Sequence, residues 1–485
     1  MLSDVCCRTN DTPLEHNCSW SRVAAVNVTR TARSAYGVKF IAAGTVPVHD
    51  SGISCYSDLP IVLRTGRRRR RRGGDPVRID QIDLLDPAAY SAGQPWEWLR
   101  WLQENHPISW HAEKNGPGYW VVTRYADVKA VEGDWKTFSS QPTSTISDDR
   151  VLGDENHRML IFEDPPNHTT HRQFMGAELT AASVRGLRAQ VESIATEIID
   201  QVIERGECDL VWDIAGKLAS YVMADLLGMS REDAVDLYAA SEIVNNAASY
   251  ETGEGLEAVL RLQEHAHNAW VDRHANPRDD VITRLATGEV RGCPMDEMQF
   301  GLDFLHLVTA AGDTTRNVVA GGMEALFDNP EQRKIMRAGD EAVVASGVEE
   351  MLRWVSPIVN QRRTATADTE VGGQWILKGQ KVASFYGIAN RDPAQFRDPW
   401  TFNVLRSPNA HVAFGFGAHF CVGSHLARLE LNAMFRTLLK RIPDMELAGV
   451  TQWNRPDAPI APSVVGPKSM PVRFTPGPRS DASAA

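Results

Sequence analysis

The stretch FGFGAHFCVGSHLARLEL, residues 414–431, limits the possible folds more than any other part of the chain. Glycines at 415, 417 and 423 surround one cysteine, Cys421, and the sequence then runs straight into a helical pattern over 422–441. A glycine-rich turn can aim backbone N–H groups at a sulfur, and a helix starting near Val422 puts its positive dipole end there. Both features favour the thiolate, the form in which cysteine binds metals. Phe414 and Phe420 can shield such a site from water, and side chains at the three glycines would collide with a flat macrocycle lying against the backbone. The residues suit a haem iron with an axial thiolate. Two other readings of the same segment stay open. One is a buried structural cysteine. The other is zinc held by His411, His419, Cys421 and His425, although these spacings do not form the two close pairs of the usual zinc arrangement.

The rest of the 485-residue chain is mainly helical. Residues 95–105 and 124–134 read as short helices with a strand at 117–123 between them. From about 180 to 275 apolar residues recur at three- and four-residue spacings, and 297–328 and 340–355 are further helices. The texture then changes: 362–373 and 379–386 alternate and turn at Gly372-Gly373 and Lys378-Gly379, which predicts a small sheet. The fold class is mainly α with a small β-sheet region, and nothing shows the strand-helix alternation of a dinucleotide-binding fold.

Charge is uneven. Residues 1–74 hold 12 Lys and Arg against 5 Asp and Glu, and residues 75–485 hold 39 against 57, so a net charge of −11 hides a basic leader on an acidic body. Six of the basic residues form the block Arg67–Arg72. A disordered leader or an over-long translation start is expected over 1–74, a single domain over 77–476, and a disordered tail over 477–485. The acidic body argues against nucleic acid as the main partner. No run of about 18 apolar residues provides an integral membrane segment, and the N-terminus lacks the basic-then-apolar order of a secretory signal. The chain is expected to be cytoplasmic.

Phe414, Gly417, His419, Cys421 and Gly423 fill every fixed position of the pattern F-x-x-G-x-R/H-x-C-x-G, and the segment resembles the cysteine-ligand loop of the cytochrome P-450 family. Other segments support the resemblance in the family's order. In FLHLVTAAGDTTRN (304–317), Ala310, Ala311, Gly312, Asp313 and Thr314 supply small residues, then an acid, then threonine. Small side chains leave room for a ligand, a threonine bonding back to the helix can open a kink, and an acid beside an alcohol can relay the protons that dioxygen cleavage consumes. Glu350 and Arg353 match E-x-x-R, with Arg406 as the third member of a structural brace. His168 and Arg172 match the H-x-x-x-R that faces one haem propionate, and Arg363 stands where the other is contacted.

The resemblance implies the cytochrome P450 fold and one b-type haem. Cys421 ligates the iron, His168, Arg172, Ala310, Arg363, Phe414, His419 and Gly423 contact the haem, and His419 donates to a propionate. Asp313 and Thr314 organise proton delivery. It further implies insertion of one dioxygen atom into a C–H bond of a hydrophobic small molecule, of the kind oxidised by the family's bacterial sterol, terpenoid and branched-lipid hydroxylases. His306, Thr309, Ile358 and Val359 should border the substrate pocket, with lids from 140–160 and 230–275. Electrons should come from a ferredoxin and ferredoxin reductase, with NAD(P)H involved only through them, and Arg428, Arg436 and Lys440 are candidates to steer that encounter. A peroxide-driven peroxygenase and a non-catalytic haem sensor are the alternatives.

Overall fold

The computed structural model describes residues 78–480 apart from 147–153, 155, 246–252, 291 and 454–460. The basic leader expected over 1–74 therefore lies outside the described residues. The compact unit that carries the site is Asp83–Ala485.

Helices α1 (Trp96–Asn105) and α2 (Tyr125–Gly133) flank the hairpin of β1 (Ile108–His111) and β2 (Tyr119–Val122). After β3 (Phe138–Ser139) the helices follow in series: α3 (Asn167–Met175), α4 (Ala181–Gly186), α5 (Arg188–Asp200), α6 (Gly216–Leu227), α7 (Arg231–Asn245) and α8 (Glu254–Ala275). A short strand β4 (Glu207–Asp209) and a π-helical turn interrupt them. Then come α9 (Val281–Thr287), the long α10 (Glu297–Asp328), α11 (Pro330–Ala338) and α12 (Glu341–Val355).

The ends of α10 fall where the sequence predicts them, for local reasons. The Asp296 side chain accepts from the Gln299 N–H at 2.9 Å and caps the start. At the other end Pro330 disfavours helical geometry at Asn329.

The predicted sheet is present. It joins the hairpin and β3 to β5 (Asn360–Ala365) and β6 (Lys381–Phe385), in the order β1-β2-β6-β5-β3. β6 runs parallel to β2, pairing Val382 with Trp120, and antiparallel to β5, pairing Val382 with Arg363. Helix α13 (Tyr386–Ala389) leads to the long loop before the cysteine, and α14 (Ser424–Arg441) follows it. α14 begins two residues later than the sequence pattern suggests, with Gly423 as its N-cap. Of the tail expected over 477–485, residues 481–485 lie outside the described residues, and 477–480 make hydrogen bonds to the rest of the chain. Gly477 N–H donates to Ile203 O at 3.0 Å, Ser480 N–H to Asp200 Oδ1 at 3.0 Å, and Arg441 to Pro478 O at 2.8 Å.

The core is built on α10, packed by α12 and α14. Gly321 and Gly322 make this possible: a Cβ on Gly322 would lie 2.9 Å from both Met351 Sδ of α12 and Phe435 Cζ of α14. Two buried charge centres then fix the loop that leads to Cys421. Glu350 and Arg353 form a doubly bonded pair at 2.8 Å, both wholly inaccessible to water. Arg406 reaches the same carboxylate at 3.0 Å, and Asn403 N–H and Asn409 Nδ2 also donate to it. The structure thus brings together the three residues expected to form the brace. Nearby, the Arg391 guanidinium lies 3.7, 4.6 and 5.4 Å from the ring centres of Trp96, Trp354 and Trp400 and donates to the carbonyls of Gly387 and Trp354.

Removing one member of a buried pair strands the other charge. Glu350→Gln is expected to lower stability by about 3–5 kcal/mol, measured as a reduced denaturant midpoint. A change within about 0.5 kcal/mol, the size of a surface substitution, would show that Arg353 is satisfied without it.

Candidate functional site

The cysteine loop is held open by its own backbone. Cys421 N–H donates to Phe414 O at 2.8 Å, Gly415 N–H to Val412 O at 2.9 Å, and Val412 N–H to the Asn390 side chain at 2.7 Å. Gly415 and Gly417 both have φ +73°, a region costly for other residues. The three glycines have different uses. A Cβ on Gly417 would lie 2.3 Å from Glu132 O, so this glycine makes room for α2, not for a cofactor as expected. A Cβ on Gly423 would meet nothing within 4 Å. Phe414 packs on the core and under the Arg428 guanidinium, whereas Phe420 is 38% exposed.

Burial pushes the Cys421 thiol up, and the Gly423 N–H, Arg172 and Arg428 pull it down without outweighing burial. The protein alone therefore favours the thiol, and a bound cation would be needed to hold the thiolate. Zinc is not the cation this geometry supports. His411 is taken by Glu349 at 3.1 Å, His419 turns away to Glu163 O, and no metal-binding cluster of three His, Cys, Asp or Glu side chains occurs among the described residues.

Haem fits better. Arg172 makes no hydrogen bond or ion pair with any described side chain, and its field reaches Cys421. His168, buried one turn before it, leaves Nε2 without a partner. A cation and a polar nitrogen left unmatched near the cysteine loop suit an acidic macrocycle. When bound, such a haem would take Cys421 as its iron ligand, with Arg172 and His168 at its carboxylate edge.

Two of the residues expected at the haem already have partners within the protein. His419 Nε2 lies 3.0 Å from Glu163 O and 2.9 Å from Ser140 Oγ. A carbonyl only accepts, so this nitrogen carries the proton, and burial, with Arg363 and His168 nearby, pushes the ring pKa down to about 2. In that neutral tautomer the other ring nitrogen is an acceptor. His419 braces the loop against the 139–163 segment. Arg363 reaches the area, but its charge is already matched by buried Glu132 at 2.5 Å.

Helix α10 passes the site as a continuous helical segment, and Thr314 Oγ1 bonds back to Ala310 O at 3.0 Å, as expected of that threonine. Ala310 is exposed and His306, Leu307, Thr309, Ala311 and Thr314 are partly so, while Phe304, Leu305, Val308, Gly312 and Thr315 are buried. One stripe of an otherwise buried helix is thus accessible. A hydrogen bond between Thr315 and Glu430 ties α10 to α14, the helix that starts from the cysteine loop. Of the other expected pocket residues, Ile358 keeps partial access. Val359 has none, because it packs in the core and its N–H donates to Ser463 O, so it does not line the pocket. The predicted lid regions lie partly outside the described residues.

Two charge clusters escaped the sequence reading. Beside the acid-alcohol pair, buried Arg316 joins Asp313 at 3.3 Å to Glu242 at 3.2 Å, and donates to Tyr238 Oη at 2.6 Å; Lys468 then reaches Glu242 at 2.8 Å. Burial opposes the charge on Arg316, and Asp313, Tyr238 and Glu242 outweigh it. In the second cluster, His171 is clamped between Glu163 at 3.1 Å and Asp303 at 2.9 Å, with all three buried. Burial lowers the His171 pKa, but bonds to Asp303 and Glu163 carry it up to about 9. The signal was present: an aspartate inside the apolar run 300–308 needs a partner, and His171 shares a face of α3 with His168.

The expected steering residues are largely neutralised. Arg428 is bound to Glu349 at 2.6 Å and Arg436 to Glu192, leaving Lys440 as the one of the three with no ion pair among the described residues.

The Cytochrome P450 family profile matches residues 342–443. A steroid C26-monooxygenase of Mycolicibacterium smegmatis is 34% identical over 404 residues, which cover 81% of this chain and 96% of that protein. A methyl-branched lipid omega-hydroxylase of Mycobacterium tuberculosis is 31% identical, with 74% and 85% covered. Among solved structures, a Mycobacterium marinum cytochrome P450 in complex with pseudoionone aligns with a TM-score of 0.75 at 31% identity, covering 83% of this chain and 100% of that one.

The His171 clamp makes stability depend on pH. The folded pKa is raised above the ordinary value of 6.5, so the stabilisation is complete below about pH 6.5 and is lost as pH rises through about 9. The melting-temperature gap between wild type and His171→Leu should be widest near about pH 6 and close by about pH 10. A gap constant over that range would mean that His171 is uncharged in the fold.

Proposed function

Because this chain belongs to the cytochrome P450 family of monooxygenases, we propose that it hydroxylates an unactivated carbon of a steroid-like or methyl-branched lipid, with Cys421 as the axial iron ligand. The accessible stripe on α10, centred on Ala310, carries this reading: it offers an apolar wall on the helix tied to α14. The relatives named for steroid and branched-lipid oxidation supply the substrate class. The haem, when bound, supplies dioxygen activation, with one oxygen atom entering the substrate and the other leaving as water.

The residues of the chain then have separate tasks. The Cys421 sulfur donates electron density, and Arg172 offsets a propionate charge. The Thr314 hydroxyl donates a hydrogen bond to the Ala310 carbonyl, so its oxygen is left to accept one from water beside the accessible stripe. Asp313 holds the proton supply. Its link through Arg316 to Glu242 and Lys468, both partly exposed, leads from the buried centre toward solvent. Leu307 and Ala311, packed on the neighbouring apolar cluster, keep bulk water off the reacting carbon.

We assign electron supply to a small acidic ferredoxin and its reductase, so that NAD(P)H acts only through them. Lys440 offers a free cation on α14, and an acidic partner could compete with Glu349 and Glu192 for Arg428 and Arg436. Among the described residues no helix is long and apolar enough to cross a membrane.

The reduced, carbon-monoxide-saturated protein should show the thiolate-type Soret band, and Cys421→Ser should lose it together with turnover. Retention of pigment, band and turnover by the serine variant would remove Cys421 from the mechanism. Asp313→Asn and Thr314→Ala should each lower oxygen-driven turnover by about 10²-fold or more while sparing peroxide-driven turnover. Peroxide-driven turnover untouched by either variant, with no oxygen-driven turnover even in wild type, would favour a peroxygenase, and no consumption of reductant with any steroid or branched lipid would favour a sensor.

A further inference from the structure

We propose that His306 is the polar anchor of the substrate pocket, its neutral imidazole hydrogen-bonding a hydroxyl or keto oxygen of an otherwise apolar ligand. The inference rests on the monooxygenase reading above and names what the substrate must carry in addition to an oxidisable carbon.

The first observation is an unmet polar group. The His306 side chain makes no hydrogen bond or ion pair with any described residue, and its Nδ1 is buried without a partner. Two neighbouring histidines are fully engaged, His171 by two carboxylates and His419 by Ser140 and Glu163 O, and His168, the other ring with an unmatched nitrogen, lies against His419 on the cysteine-loop side. A buried nitrogen without a partner costs stability, and a packing role would be served as well by leucine. The threonine on the same stripe, Thr309, is satisfied by the Leu305 carbonyl at 2.8 Å and has less to offer a ligand.

The second observation is position. His306 lies one turn before exposed Ala310 and two turns before Thr314, on the accessible stripe of α10. Helix rise puts it about 6 Å from Ala310 and about 12 Å from Thr314 along the axis. A ligand held there by one oxygen would present a carbon roughly 6–12 Å away to the reacting centre. Its neighbours Leu307 and Ala311 are apolar, so the imidazole is an isolated directional group in an apolar wall, the usual way a pocket fixes ligand orientation.

The third observation is charge. Burial, helped by the fields of His171 and His168, pushes the His306 pKa down to about 4. The clamp that holds His171 as an imidazolium thus helps keep His306 neutral. A neutral ring has one donor and one acceptor, which matches a hydroxyl or a ketone and gives no ionic attraction for a carboxylate.

The test uses the purified holoenzyme and the haem spin-state change on ligand binding, with two matched pairs: cholest-4-en-3-one against cholest-4-ene, and pristan-1-ol against pristane. Wild type should bind the oxygenated member of at least one pair about tenfold more tightly. His306→Leu should abolish that preference while leaving the hydrocarbon's affinity within about twofold, and His306→Gln, which keeps a donor and an acceptor, should retain most of it. An unchanged carbon-monoxide spectrum confirms that each variant is loaded. Equal weakening of both members by His306→Leu, or hydrocarbon and oxygenated probes bound equally by wild type, would overturn the anchor alone. If thiolate-ligated wild type binds neither skeleton, the substrate class proposed above falls and the anchor with it.

Discussion

One carboxylate with no access to water governs the geometry of the site. Glu350 accepts from two guanidiniums, a backbone amide and a side-chain amide, and these donors come from α12 and from both ends of the 403–409 turn. Arg353, fixed by that carboxylate, in turn donates to Asn390 O, and the Asn390 side chain accepts from Val412 N–H two residues before Phe414. The position of the cysteine loop is therefore inherited, bond by bond, from a charge pair on a helix that does not touch the reacting centre. A buried ion pair is a costly way to gain stability. Here its several directional bonds give the loop a single placement.

The electrostatics of the site follow a simple division. Most cations near it are already matched: Arg363 by Glu132, Arg316 by Asp313 and Glu242, His171 by Glu163 and Asp303. Arg172 is not matched by any described side chain, and its field, like that of Glu349-bound Arg428, reaches the Cys421 sulfur. A protein interior that satisfies its own charges so thoroughly and leaves one cation and one thiol unmatched is arranged for an outside group that is acidic at its rim and cationic at its centre.

What could be read from the sequence was what is local. The boundaries of α10 are set by Asp296 and Pro330, residues next to the helix itself, and the cysteine loop is set by glycines within a few positions of the sulfur. What could not be read depends on partners far away in sequence. His171 in HTTHR looks like a surface charge until Asp303, 132 residues later, is placed against it. Gly417 looks like a cofactor-facing glycine until the Glu132 carbonyl is found 2.3 Å from where its Cβ would be. Arg428 and Arg436 look like free cations until Glu349 and Glu192 arrive from other helices. Val359 failed for a related reason: adjacency to a helix end suggests a lining residue, but only packing decides which side of the backbone the side chain takes.

The indole-lined guanidinium of Arg391 has a consequence for how the molecule meets electrolyte. Dissolved ions screen exposed charges over about 10 Å at 0.1 M, and the partly exposed pairs of Arg188, Arg428 and Arg436 lie within their reach. No mobile ion can enter between Arg391 and three tryptophan rings, and its other contacts are to neutral carbonyls. In brine the outer belt of charge pairs slackens first, while the corner that joins α1 to α12 keeps its grip.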